Sequence, residues 1–126
     1  MFRSEITISS PPKKVWDVFT QCENWAVWWG GNGLKSAEWT VGGKMYWGVG
    51  GCSTILELAP ARRIHYQLKG AFTADNLYTF QPLGLGRSTR VMVQVEYTGV
   101  DVGASKQREL DEELARLKRL VEKGSV

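Results

Sequence analysis

The stretch Ser105-Lys-Gln-Arg-Glu-Leu-Asp-Glu-Glu-Leu-Ala-Arg-Leu-Lys-Arg-Leu-Val-Glu-Lys123 decides how the rest of the chain must be arranged. Leu110, Leu114, Leu117 and Val121 recur at i, i+4, i+7 and i+11, a single apolar stripe on an otherwise charged helix. Arg108, Asp111, Glu112, Arg116 and Lys123 take the other faces, and Glu112 with Arg116 makes a favourable i,i+4 pair. Glu113 is assigned to another face as well, where replacement by Ala is expected to cost within about 0.5 kcal/mol. Ser105 stands at the N-cap position, although Arg108 occupies the place where a capping box uses Glu. A helix over residues 105–123 is about 28 Å long, against about 23 Å for a seven-residue strand. Such a helix crosses a whole sheet, and its one stripe can be buried only against that sheet.

Upstream of this helix the period is two. Over residues 88–98, Val91, Val93, Val95 and Tyr97 alternate with Arg90, Gln94 and Glu96, with Met92 on the polar side. Residues 63–69 alternate strictly, Ile64, Tyr66 and Leu68 against His65, Gln67 and Lys69. Residues 72–81 make a longer, more mixed strand, 52–58 another, and 36–40 and 44–49 two short Trp-bearing ones. Gly50-Gly51, Ala59-Pro60-Ala61 and Pro82-Leu83-Gly84-Leu85-Gly86 supply the reversals. Strands so closely spaced form an antiparallel meander. At the start of the chain, residues 2–8 alternate as a strand, and Ser9-Ser10-Pro11-Pro12 begins a helix over 11–20 that buries Val15, Trp16 and Phe19. Residues 23–29 add another turn or two before Gly30-Gly31-Asn32-Gly33 stops them. No repeat or linker interrupts the pattern, so residues 1–126 form one α+β domain.

Composition bounds what this domain can do. At 126 residues it can bury roughly two-thirds of its unfolded surface, and 43% hydrophobic with 23% charged residues is a globular balance. The net charge of +3 is spread over separated pairs (Lys13-Lys14, Arg62-Arg63, Lys118-Arg119), too thin a stripe for nucleic acid or an anionic membrane. Cys22 and Cys52 form no CxxC motif and no disulfide framework, which suits two thiols in a reducing compartment. With no apolar leader after Met1 and no run of membrane-spanning length, the expected compartment is the cytoplasm, without integral membrane association.

Few residues offer chemistry. His65 is the only histidine, and it alternates out of phase with Ile64, Tyr66 and Leu68, which places it on the solvated face. Without a second histidine or a Cys/His pair at ligand spacing, no metal and no other cofactor is expected. The Gly-rich connector has no phosphate-loop motif, since Met45 follows Gly43-Lys44 where Ser or Thr is needed. Glu57, Asp75 and Asn76 fall in strands. Turned into an apolar cavity, such a carboxylate would have a raised pKa and could move protons; on the outer face it would be a surface charge, which is the expected case. Five of the six tryptophans (Trp25, Trp28, Trp29, Trp39, Trp47) crowd into one segment with eight of the fourteen glycines.

The order of elements resembles the START/SRPBCC helix-grip superfamily, which includes pollen allergens, polyketide cyclases and activators of chaperone ATPases. Three segments carry the resemblance. Ile6 to Phe19 is similar to its opening strand and "Pro…x-Val-Trp" helix, and Trp25 to Trp29 to its Trp-bearing second helix. Ile55-Leu-Glu-Leu-Ala-Pro-Ala-Arg-Arg-Ile-His-Tyr66 is similar to its "V-x-E-x-x-P-x-R-x-L-x-Y" hairpin. The resemblance implies a curved antiparallel sheet of about six to seven strands gripping the C-terminal helix, with one or two short helices after the first strand. It also implies a small hydrophobic ligand held between sheet and helix. On that frame Trp28, Trp29, Trp39 and Trp47 fall at the mouth of the cavity, with Tyr66 and Tyr78 from the sheet and Leu114 and Leu117 from the helix. The opposing possibility is that the indoles simply fill the interior. A carrier or sensor of a hydrophobic ligand is the leading expectation. A cyclase- or dehydratase-type enzyme would need at least two titratable side chains inside the cavity. A protein–protein adaptor, such as a chaperone co-factor, would show a filled interior and an exposed apolar patch outside the 44–58 hairpin. The oligomeric state is open.

Overall fold

In the computed structural model, which describes residues 1–124, every period-two segment becomes a strand of one sheet. The strands are β1 (Phe2–Ile8), β2 (Leu34–Ala37), β3 (Lys44–Trp47), β4 (Cys52–Ala59), β5 (Arg63–Lys69), β6 (Thr73–Leu83) and β7 (Ser88–Thr98). Their order is β1-β7-β6-β5-β4-β3-β2, all antiparallel: β2 to β7 meander, and β1 pairs with the last strand. Helix α1 (Pro12–Phe19) follows β1, then a 3-10 turn at Cys22–Asn24 and the single turn α2 (Trp25–Trp28); α3 (Ser105–Lys123) is the long helix. The sheet curves round α3, which is the helix-grip arrangement.

Alternation decides which face is buried. Val91, Val93 and Val95 of β7 pair with Phe80, Tyr78 and Asn76 of β6, and Tyr78 and Asn76 pair in turn with Ile64 and Tyr66 of β5. These side chains point to the concave face, onto which α3 lays Leu110, Leu114, Leu117 and Val121, each at most 3% exposed. Burying each such side chain contributes ~1.5–3 kcal/mol.

The edge strand β1 needs cover, because its outer backbone groups lack a partner strand. Polar side chains of α3 supply it. Gln107 donates to the Arg3 carbonyl, Asp111 accepts from Ser4 Oγ, Lys118 donates to the Thr7 carbonyl at 2.8 Å and Glu122 accepts from Ser9 N–H at 2.7 Å. The charged faces of the helix therefore do more than meet solvent; they dock it along β1.

The connector departs from expectation at two strands. Instead of 36–40 and 44–49, β2 and β3 cover Leu34–Ala37 and Lys44–Trp47. Residues 38–43 fold into a tight turn, with Thr40 N–H donating to Glu38 O and Gly43 N–H to Thr40 O, so Trp39 sits in a turn rather than a strand. At Gly43 an added Cβ would lie 2.1 Å from the Glu38 carbonyl oxygen, so only glycine closes this turn. At Gly50 and Gly51 both φ angles are positive (101° and 82°), as the expected reversal requires.

Candidate functional site

Side-chain size falls along the concave face of β6. Phe80 and Tyr78 are bulky, Asn76 and Ala74 are small, and Ser53 of β4 is small as well. The aromatic mass gathers at the large end. There Phe19 is surrounded by Trp16, Trp25, Trp28, Tyr78 and Phe80 with ring centroids 5.0–5.8 Å away. At the small end a cavity of about 220 Å³ is left between the N-terminal half of α3 and strands β4 to β7.

Tyr66, Tyr78, Ser53, Ala74, Leu110 and Glu113 are its buried lining, while Val49, Gly50, Phe72, Tyr97 and Lys106 are more exposed and mark the opening. Trp29 and Trp47 stack at 4.9 Å on one side. Trp47 Nε1 donates to Ser53 Oγ at 2.9 Å, so a cavity wall is pinned by the smallest polar residue near it. The rings of Tyr66 and Tyr78 lie stacked at 6.3 Å.

Glu113 is the unexpected member. It is only 6% exposed, its Oε1 has no hydrogen-bond partner among the described residues, and burial pushes its carboxyl up to about 7, against the downward pull of Lys106 and Arg116. Burial also raises both tyrosine hydroxyls well above their usual range; Glu113 adds to the rise at Tyr66, Tyr66 and then Glu113 at Tyr78. At Lys106 burial works downward, but Glu113 and Tyr97 outweigh it and the ammonium is held up. A protonatable carboxyl and two neutral phenols thus share one small apolar space.

Over residues 1–122 the sequence matches the model of the family described as polyketide cyclase / dehydrase and lipid transport. The chain belongs to this family. Cyclases, dehydrases and lipid transporters handle apolar molecules, so the polyketide cyclase / dehydrase frame is a hydrophobic-ligand-binding fold. Among solved structures, protein CV1439 from Chromobacterium violaceum is 21% identical with a TM-score of 0.70, over 96% of this chain and 96% of that one. The Aha1 dimer from Colwellia psychrerythraea is 17% identical with a TM-score of 0.74, over 99% of this chain and 98% of that one. The di-domain ARO/CYC StfQ of the steffimycin biosynthetic pathway is 21% identical with a TM-score of 0.70, over 98% of this chain and 46% of that one. At such identities the likeness is one of fold. No curated protein matches the chain. No described helix is long and apolar enough to cross a membrane.

Of the residues singled out from the polyketide cyclase-like sequence, Trp29, Trp47, Tyr66 and Tyr78 line the cavity. The others do not. Trp28 is fully buried between Phe19, Trp25 and Tyr78, Leu114 and Leu117 are fully buried in the core, and Trp39 lies over Phe19 at 6.4 Å. The indoles therefore divide, Trp16, Trp25 and Trp28 filling the core and Trp29 and Trp47 walling a void. Glu57 and Asp75 are on the outer face, flanking His65: its Nε2 is 3.1 Å from Asp75 Oδ1 and its Nδ1 3.7 Å from Glu57 Oε1. A bulge between Ile55 and Glu57 keeps Glu57 out of the concave face. Glu113 is a correction to the helix pattern, which assigns it to another face and makes it tolerant of Ala, whereas it is buried. Lys106, Leu110, Glu113 and Leu117 recur at i, i+4, i+7 and i+11, so the signal was there, masked because two of the four are charged.

Proposed function

We propose that this protein binds a small, mostly apolar ligand between α3 and strands β4 to β7, with the ligand's polar end toward Glu113. The observation that carries this reading is the cavity itself, an aromatic-walled space with a carboxyl and two phenols among its buried lining. Its size selects the ligand. A cavity of about 150 Å³ accommodates benzene, so 220 Å³ suits one substituted ring or a short chain, and a multi-ring molecule must protrude past Val49 and Phe72. Covering a few hundred Å² of apolar ligand at about 25 cal/mol per Å² leaves micromolar to millimolar affinity after association costs. Titration with ethylbenzene, read by the emission of Trp29 and Trp47, tests it. Saturable binding to the wild type, lost in Ala74→Phe, is expected; no binding by any apolar probe of this size would reject the reading.

Glu113 favours a second reading, an enzyme of the cyclase or dehydratase kind. A carboxyl that titrates near 7 can take a proton and return it at neutral pH, and the neutral Tyr66 and Tyr78 hydroxyls can donate to an oxygen that gains charge. Dehydration of a small β-hydroxy ketone by the wild type but not by Glu113→Gln would support it. The adaptor reading calls for a filled interior, and the cavity weighs against it, although Tyr46, Val49 and Leu56 are exposed around the 44–58 hairpin.

A further inference from the structure

We propose that the ligand of this cavity carries a protonated amine, seated on the Glu113 carboxyl, at the head of a body about one ring in size. The inference rests on the ligand-binding reading above and names its chemical class. It follows from which charges are already engaged. Lys106 Nζ lies 3.7 Å from Glu109 Oε2 and 5.9 Å over the Tyr97 ring, and Arg116 donates its Nε to the Trp28 carbonyl at 2.9 Å. Among the described residues Glu113 alone of these makes no hydrogen bond or ion pair: its Oε1 is buried and unbonded, and the residue lines the cavity. Leaving a carboxylate oxygen so placed is costly unless something enters to pair with it.

Three classes of ligand head can be compared. A carboxylate would be repelled by Glu113. A hydroxyl would form one neutral hydrogen bond. An ammonium forms a charge-assisted bond, roughly twice as strong, and the faces of Trp29, Trp47, Tyr66 and Tyr78 offer it the electron-rich surface that cations prefer. Lys106 is a like charge near the opening and feels Glu113 more strongly than Glu109, but its direct contacts are with Glu109 and Tyr97, which leaves the Glu113 carboxyl open to a second cation.

A pH signature follows. The groups facing Glu113 are Lys106, Glu109 and Arg116 on its own helix and Tyr66, Tyr78 and Tyr97 from β5, β6 and β7. Burial keeps Tyr66 and Tyr78 neutral at this pH. In the empty cavity the Glu113 carboxyl titrates at about 7; an ammonium beside it favours the ionised form. Binding at pH 7 therefore expels protons, and it weakens as the pH falls toward 5.

Isothermal calorimetry with 2-phenylethylamine, 2-phenylethanol and ethylbenzene at pH 7, in two buffers of different ionisation enthalpy, tests the proposal. The amine should bind at least tenfold tighter than the other two, with proton release. Glu113→Gln should abolish that preference and the proton release while still binding the alcohol, which also shows that the variant is folded. If the alcohol or the hydrocarbon binds as well as the amine, or if Glu113→Gln keeps the preference, the amine assignment is overturned and the apolar-ligand reading stands. If none of the three binds, both fall.

Discussion

Glu113 ties the stability of the protein to pH. Its carboxyl titrates at about 7 in the folded chain, against an ordinary 4.5, because burial penalises the charged form. The folded state therefore holds an extra proton between those values. The corresponding stability is complete below about 4.5 and is lost as the pH rises through 7, a change of at most ~3 kcal/mol. Glu122 has the opposite sign: the hydrogen bond from Lys118 lowers its carboxyl, so its contribution is lost on acidification. Comparing wild type with Glu113→Gln at each pH cancels Glu122. The variant should gain on the wild type steadily between pH 5 and 8, reaching a melting temperature several degrees higher; parallel melting curves across that range would mean Glu113 is not buried as described. In the outer-face row Glu57–His65–Asp75, strand alternation alone places only His65; Asp75 lies in a strand of mixed pattern, and Glu57 is turned outward by the bulge after Ile55.

At the scale of elements, α3 and the connector behave in opposite ways. The α3 stripe is simple burial, so Leu114→Ala should cost roughly 2–5 kcal/mol, whereas Glu112→Ala, on the exposed face, should stay within about 0.5 kcal/mol. Chemical denaturation of both variants would show it, and similar midpoints would be incompatible with a helix packed on the sheet. In the connector, glycine content suggests looseness, but several of these glycines mark close backbone contacts. An added Cβ at Gly48 would lie 2.2 Å from the Asn32 carbonyl oxygen, while Gly48 N–H donates to Gly33 O at 2.9 Å. Gly70, by contrast, has open space around it and an ordinary φ. Gly48→Ala should lower the melting temperature distinctly and Gly70→Ala should leave it unchanged or raise it slightly; equal effects would mean the connector does not pack as described.

For the whole molecule the central property is uneven filling. One end of the interior holds Trp16, Phe19, Trp25, Trp28 and Phe80, and the other holds a void. Two substitutions should separate the ends. Leu117 lies in the filled core, so Leu117→Trp should overpack it, costing about 1–3 kcal/mol. Ala74→Phe instead projects into the void, and it should abolish binding of a one-ring probe with little loss of stability. Thermal melts of the two variants, together with a probe titration of Ala74→Phe, would decide. Loss of stability in Ala74→Phe equal to that in Leu117→Trp would mean the void is not open space.

Some of this protein is determined by its sequence alone, because the relevant physics is local. A stripe at helical spacing over 105–123, alternation in the strands and Gly or Pro at the reversals each involve neighbours within a few residues, and they establish the helix-grip order of elements. Other features depend on what faces what across the fold. Whether Trp28 fills and Trp29 walls is decided by the turn α2 makes against Phe19, since adjacent residues on a helical turn point in different directions. Whether Glu113 is a surface charge or a buried acid is decided by how the α3 stripe is rolled on the sheet. Its spacing from Leu110 and Leu117 allows burial, but only the small side chains opposite it, Ala74 and Asn76, leave the space that makes it part of a site. A cavity is matter left out between distant segments, and no single segment of sequence records it.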